Sequence, residues 1–350
     1  MEGEKPMSER KNTMEVSKRH AMRDRVSRDN SRISRRAFLG NVALGVGGLL
    51  CPGVVSAASE GVAEKKSRVV IVRNPAVISG GKVNGTVAGE MVHRAVCLVT
   101  GKEDVASAWK LLFSPKETVA LKMNTRHPPV GGNREIADAI VEGLKQAGVA
   151  ENRIIIFDFL DHELVRSRYE LNDSPKGVRC YGIRECREMK VGPVAVQLAK
   201  IITDEADAIV NVPTLRHHNM AGVTVSMKNH LGSIKNPRDL HRENCMYVAD
   251  LNALDPIRKK TRLIIADGIL AQYDAGPSYR PQFAWEYAGV IAGTDTVAVD
   301  AVGMEEIRAE REKRGLTGPI RPEARHVARA AELGLGEANM DRIVVVRETT

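Results

Sequence analysis

Val119-Ala120-Leu121-Lys122-Met123, a Pro/Gly-rich loop opened by Asn124, a helix-period run capped by Asn133, and then Ile154-Ile155-Ile156-Phe157 form the stretch that decides the fold. The two apolar runs are short and rich in β-branched residues, which suits buried strands. Between them Ile136, Ala137, Ile140, Val141 and Leu144 recur on one helical face, and Gly148 stands where such a helix ends. Strand, helix and strand within about forty residues is the unit from which parallel sheets are built.

Outward from this unit the same alternation continues. Val69-Val70-Ile71-Val72 reads as a first strand, and Val87 to Val99 and Val105 to Phe113 as helices. Further strands are expected at Ala208–Val212, Leu263–Ala266 and Gly289–Ala292, helices from Val297 and from Ala324, and a closing strand at Ile343–Val346. Asn172 to Gly192 is more polar and reads as an insertion or crossover. Strands that are apolar almost throughout are buried on both faces. The expected fold is therefore α/β, a mostly parallel, Rossmann-like, doubly wound sheet with helices on both faces, in one body or two closely packed lobes.

The amino terminus has a different character. Ser34-Arg35-Arg36-Ala37-Phe38-Leu39 has the paired arginines and following aromatic-aliphatic pair of a twin-arginine export motif. An uncharged, glycine-rich run from Val42 to Val55 and the small residues Val55-Ser56-Ala57-Ala58 follow, in the order of a removable leader. The run is shorter than the roughly 20 residues that span a bilayer. Residues 1–57 are assigned as a cleaved twin-arginine signal peptide, 58–67 as a linker and 68–350 as the α/β body. A retained amino-terminal anchor is the competing reading; a lipoprotein at Cys51 is rejected because Leu50 stands where a small residue is needed. The expected partners are the twin-arginine translocase and a signal peptidase, the expected location periplasmic or extracellular, with no stable membrane span after cleavage. That route carries folded chains, which raises the expectation of a bound metal or cofactor.

The leader also explains most of the charge. Residues 1–57 carry 11 basic and 6 acidic side chains, a net of +5, which leaves +3 of the chain's +8 for the remaining 293 residues. With 4% aromatic residues as well, the body lacks the basic, stacking surface of a nucleic-acid binder, and no nucleic-acid partner is expected. Cys97, Cys180, Cys186 and Cys245 fit no iron–sulfur cluster spacing, and Cys180 and Cys186 read as ordinary thiols unless they close a loop.

Unusual polar residues fall at expected strand ends: Lys122 and Asn124, Asp158, the Arg216-His217-His218 run, Asp267, and Asp295 two residues past another. In open α/β sheets ligands bind at that edge. Gly131-Gly132-Asn133 at a helix start offers backbone N–H groups to a carboxylate or phosphate, with Lys122 adding charge. After Arg216-His217-His218, a helix-like stretch puts Val223, Met227 and Leu231 on one side and Thr224 beside Lys228, with Asn229 next. Adjacent histidines diverge, and His218 is favoured as the inward one. Asp295 and Asp300 bracket a helix start, where a cap and a first-turn acid explain them as well as catalysis does.

On these residues the chain resembles the family called domain of unknown function 362, from about Val69 to Val346. Four blocks carry the resemblance: Leu121-Lys122-Met123-Asn124; Asn211-Val212-Pro213 through Lys228-Asn229-His230-Leu231-Gly232; Ala266-Asp267-Gly268-Ile269; and Ala292-Gly293-Thr294-Asp295-Thr296-Val297-Ala298-Val299-Asp300. Ala331-Glu332-Leu333-Gly334-Leu335-Gly336 is similar to the family's close. The resemblance implies a fold and positions but no reaction, and it supports His218 as the functional histidine. Relatives often carry an appended ferredoxin-like domain with two four-iron clusters; this sequence holds no such cysteine run, which argues against direct electron transfer. Met123 and Thr296 stand where the family usually has proline, and Arg216-His217-His218 where it has Lys-Thr-His.

Two functions follow as expectations. One is a redox-linked or metal-assisted enzyme acting on a small anionic molecule: Lys122 and Lys228 hold the anion, His218 shuttles a proton, and Asn124, Asn229, Asp267 and Asp295 bind or orient. In its metal-assisted form His218, Asp267 and Asp295 ligate a divalent metal. The other is a non-catalytic metal- or cofactor-binding maturation protein serving an exported partner.

Overall fold

The computed structural model describes residues 67–350; the twin-arginine leader and all of the linker but Ser67 lie outside the described residues. In chain order the elements are β1 (Ser67–Arg73), β2 (Ile78–Ser79), β3 (Lys82–Val83), α1 (Gly85–Thr100), α2 (Val105–Leu112), β4 (Val119–Lys122), α3 (Arg134–Gln146), β5 (Ile154–Asp158) and α4 (Asp161–Arg166). Next come β6 (Arg179–Gly182), β7 (Cys186–Val191), β8 (Val194–Ala199), β9 (Ala208–Asn211), β10 (Thr214–His218), β11 (Gly222–Thr224), α5 (Val248–Ala253) and α6 (Asp255–Arg258). The chain ends with β12 (Thr261–Gln272), β13 (Ala284–Gly293), α7 (Thr296–Lys313), α8 (Arg325–Glu332) and β14 (Ile343–Thr349).

One sheet organises the body, in the order β14-β1-β13-β12-β9-β4-β5-β6, with β10 alongside the far half of β12 and β11 on β10. Six of its nine pairings are parallel; those of β13 with β1 and β12, and of β10 with β11, are antiparallel. Successive strand residues face opposite ways, so each strand feeds two cores. Val70, Val119, Leu121, Ile154 and Val210 pack with α1, α2 and α3 on one face. Val69, Ala120, Ile155, Ile209 and Ile264 pack with α5, α7 and α8 on the other. The mostly parallel sheet covered on both faces is the expected architecture.

Several local expectations are corrected. Asn172–Gly192 is not simply an insertion, because β6 joins the sheet as an edge strand parallel to β5. Its sequence, Arg179-Cys180-Tyr181-Gly182, lacks an apolar run because only one of its sides is paired. Asp267-Gly268 does not end a strand; β12 runs through it, with a register shift between Gly268 and Leu270. Arg216-His217-His218 does follow a strand, β9, but lies in a second strand, β10, rather than in a loop. The stretch after it is β11, and only Met227–Ser233 is helical, as 3₁₀ turns. The four cysteines are free thiols, Cys180 being buried within β6.

Pro213 is the reason β9 and β10 are two strands. It has no N–H for the ladder, and its carbonyl accepts instead from the backbone N–H of Asp267, 2.8 Å away. Beyond this break the chain leaves the neighbourhood of β4 and continues along β12. A space opens past the carboxyl ends of β4 and β5, as the switch-point rule anticipates.

Candidate functional site

That space is a cavity of about 590 Å³, and Lys122, Asn124, His218, Lys228 and Asn229 all line it. Five of the seven residues singled out from sequence therefore meet although up to 107 positions separate them. Asp267 and Asp295 are not among its walls. Asp158 and Arg216, expected at this edge but given no role, complete the site with Arg126, His127, Gly232, Arg238 and His241, which the sequence did not single out.

Strand period selects the β10 contribution. Arg216 and His218 are two apart and face the cavity, whereas His217 turns the other way, its Nε2 at 3.0 Å from the Arg321 carbonyl. The preference for His218 over its neighbour is the one the geometry supports.

The floor is a continuous polar network. Lys122 Nζ donates to the Met123 carbonyl at 2.5 Å, to Asp158 Oδ1 at 2.7 Å and to Asn229 Oδ1 at 3.3 Å, so its three N–H bonds are all occupied. Asp158 also accepts from the backbone and hydroxyl of Thr125 and the backbone of Phe159. Asn229 donates to the Lys122 carbonyl and to Asn211 Oδ1, and accepts from Asn124, which in turn accepts from Arg216. Lys122 and Asn229 thus tie β4, β5 and β9 to the 3₁₀ turns. Lys122 is not free to grip an anion, which corrects the role expected of it. Gly232 is required here: a Cβ would lie 2.7 Å from Lys122 Nζ and 2.8 Å from Asp158 Oδ1.

Among the described residues, two buried cations of the cavity have no carboxylate partner. Lys228 is 7% exposed and has no hydrogen bond or ion pair among the described residues. Arg216 is 2% exposed; among the described residues it donates only to Asn124 and the Val130 carbonyl, and its Nε has no partner. Burial, with Arg216 and Arg126 nearby, lowers the Lys228 ammonium to about 8, and burial lowers the Arg216 guanidinium to about 10. Six lysines and arginines face the cavity against three carboxylates, and of those three Asp158 is held by Lys122. The histidines are uncharged at neutral pH. Burial and neighbouring cations depress His127 to about 4, His218 far below the imidazole range, and His241 below its ordinary value.

Asp267 and Asp295 serve the framework. Asp267 accepts from the backbone and side chain of Asn133 and from the Ile269 backbone, and burial raises its pKa. Asn133 is the cap residue of α3 by position, but its side chain caps nothing and reaches Asp267 instead. The anion at the Gly131-Gly132-Asn133 turn is thus the protein's own Asp267, which corrects the expectation of a ligand there. Asp295 caps α7 through Val297 and Ala298 and accepts from the Ser67 hydroxyl and the Glu337 backbone. Since β13 is antiparallel to β1 and β12, its carboxyl end points to the side where β1 begins.

Hence His218, Asp267 and Asp295 do not assemble a metal site. Thr214, not His218, lies opposite Asp267, and four residues of strand separate the two by about 13 Å. Among the described residues no group of three or more His, Cys, Asp or Glu side chains is placed to hold a metal ion. Asp300, read as a first-turn acid, instead accepts from the Ser226 and Met227 backbones and so holds the turn that carries Lys228.

Comparison with known proteins adds a family. A Thermotoga maritima protein solved as a structural-genomics target is 10% identical, with a TM-score of 0.39 over 66% of this chain; the match spans 59% of that protein's chain. No curated protein matches. Residues 119–305 match the family described as "Domain of unknown function (DUF362)", a narrower span than the resemblance from Val69 to Val346 implied. The matched segment holds every candidate residue from Lys122 to Asp295 and more than half of the 350 residues, and the chain belongs to the DUF362 family.

Proposed function

We propose that the chain is exported by the twin-arginine pathway and that its body is an enzyme acting on a small molecule bearing a carboxylate or phosphate. One observation carries the substrate class: Arg216 and Lys228 are both buried, both face the cavity, and neither has a carboxylate partner among the described residues. An unpaired buried ion carries a penalty of several kcal/mol, which a bound anion offsets. The cavity volume lies within the range of small-molecule sites, roughly 300–1,000 Å³. His218 and His241 line the same cavity as the two cations and bring imidazole nitrogens to a bound anion, which favours catalysis over storage. The Ser34–Leu39 motif, followed by an uncharged run and small residues, supports export.

Calorimetric titration of the full chain with inorganic phosphate and with oxalate at pH 7 tests the substrate class. Saturable binding of at least one anion, weakened at least tenfold in Lys228→Met, is expected. Absence of binding of both at millimolar concentration refutes it.

A further inference from the structure

His218 and His241 both line the cavity, and their rings stack with centroids 6.1 Å apart. Their hydrogen bonds fix opposite tautomers. His218 Nδ1 accepts the backbone N–H of Met220 at 3.0 Å, so an uncharged His218 carries its proton on Nε2. His241 Nδ1 lies 2.8 Å from the Pro237 carbonyl, which only accepts, so its proton is on Nδ1. His241 Nε2 is then a bare lone pair with no partner among the described residues. One imidazole is a donor and the other an acceptor, beside the same unpaired ammonium and guanidinium.

We propose that His241 Nε2 is a general base and the neighbouring His218 Nε2–H the donor for proton transfer at a carbon next to a carbonyl, in a small 2-oxo carboxylate. This rests on the anion-binding reading and adds the reaction class. The carboxylate sits on Arg216. His241 Nε2 takes the C3 proton, the C–H pair forms the C2–C3 double bond, and the carbonyl π pair moves onto oxygen. The resulting enolate oxygen is hydrogen-bonded by His218 Nε2–H and the Lys228 ammonium. Return of a proton from the His241 imidazolium to C3 closes the cycle with no net oxidation. A donor that is neutral and already oriented stabilises such an oxyanion without reorganising. Backbone strain fits the assignment: Glu243, Asn244 and Cys245 follow His241 with φ of 49°, 55° and 60°, a left-handed run without glycine. Such strain collects at functional sites.

Long-range ¹H–¹⁵N correlation on the full chain with ¹⁵N-labelled histidine, at pH 7, reads the tautomers. His218 protonated at Nε2 and His241 at Nδ1 is expected; the same tautomer on both, or an imidazolium on either, overturns the proposal. In D2O, ¹H NMR of pyruvate and of 2-oxoglutarate is expected to show catalysed loss of the C3 proton signal. His241→Gln should slow that loss at least 100-fold with the affinity for oxalate, a mimic of the pyruvate enolate, unchanged within threefold. Oxalate binding without exchange of either probe above buffer overturns the reaction class and leaves the anion site standing. Failure of oxalate and phosphate alike to bind removes the underlying reading instead.

Discussion

Replacing Asp158 by Asn tests the site's floor most directly. All four groups that reach the carboxylate are donors: the Lys122 ammonium at 2.7 Å, the Thr125 N–H at 2.6 Å, the Thr125 hydroxyl at 2.8 Å and the Phe159 N–H at 2.8 Å. An amide has one acceptor oxygen, so its NH2 must face a donor, and the Lys122 charge loses its counterion in a site where the pair is 1% and 5% exposed. Breaking a buried pair from one side costs about 3–5 kcal/mol. For a body of this size that lowers Tm by about 6–10 °C. Lys122→Met leaves the carboxylate three donors and should cost less, about 1–3 kcal/mol. Urea unfolding of the two variants beside the parent chain gives both values. A loss below about 1 kcal/mol for Asp158→Asn, or a larger loss for Lys122→Met, would refute the reading of Asp158 as the hub.

Lys228→Met removes a lone buried charge, so its urea midpoint should match or exceed the parent's while anion affinity falls at least tenfold; a large loss of stability would contradict the absence of partners. Because Lys228 is protonated below about 8, anion affinity should fall as pH rises through that value. Its folded pKa lies below the ordinary lysine value, so the unfolded chain holds more protons between about 8 and 10.5, and this group makes stability rise with pH across that window. Asp300→Asn leaves either the Ser226 or the Met227 N–H without an acceptor and should cost about 1–3 kcal/mol with weaker anion binding, by denaturation and calorimetry. Gly232→Ala should displace the Lys122–Asp158 pair and lower the thermal midpoint, whereas an unchanged midpoint would show that the contact yields freely. Lysines in place of Arg35 and Arg36 should leave the protein in the cytoplasm on fractionation; normal export of that variant would end the twin-arginine reading.

The sequence by itself determined the layers. Apolar strands such as Ile154–Phe157 and the helical face of Ile136, Ile140 and Leu144 are local patterns, and both faces of the sheet are buried as those patterns require. It also marked Lys122, Asn124, His218, Lys228 and Asn229, because polar residues beside buried strands stand out against their surroundings. Strand direction and pairing were decided only by the tertiary structure. Nothing within Ala284–Gly293 tells that β13 runs antiparallel, yet that direction takes Asp295 away from the cavity. Nothing around Asp267 tells that its partner is Asn133, 134 residues earlier. His241 sits in a polar segment without periodicity, and it became legible only once the chain folded back to set its ring against that of His218. Whether a buried charge is paired depends on side chains that arrive from distant elements, so the lack of a carboxylate at Lys228 and Arg216 among the described residues, and the pairing of Lys122 with Asp158, belong to the fold rather than to any stretch of sequence.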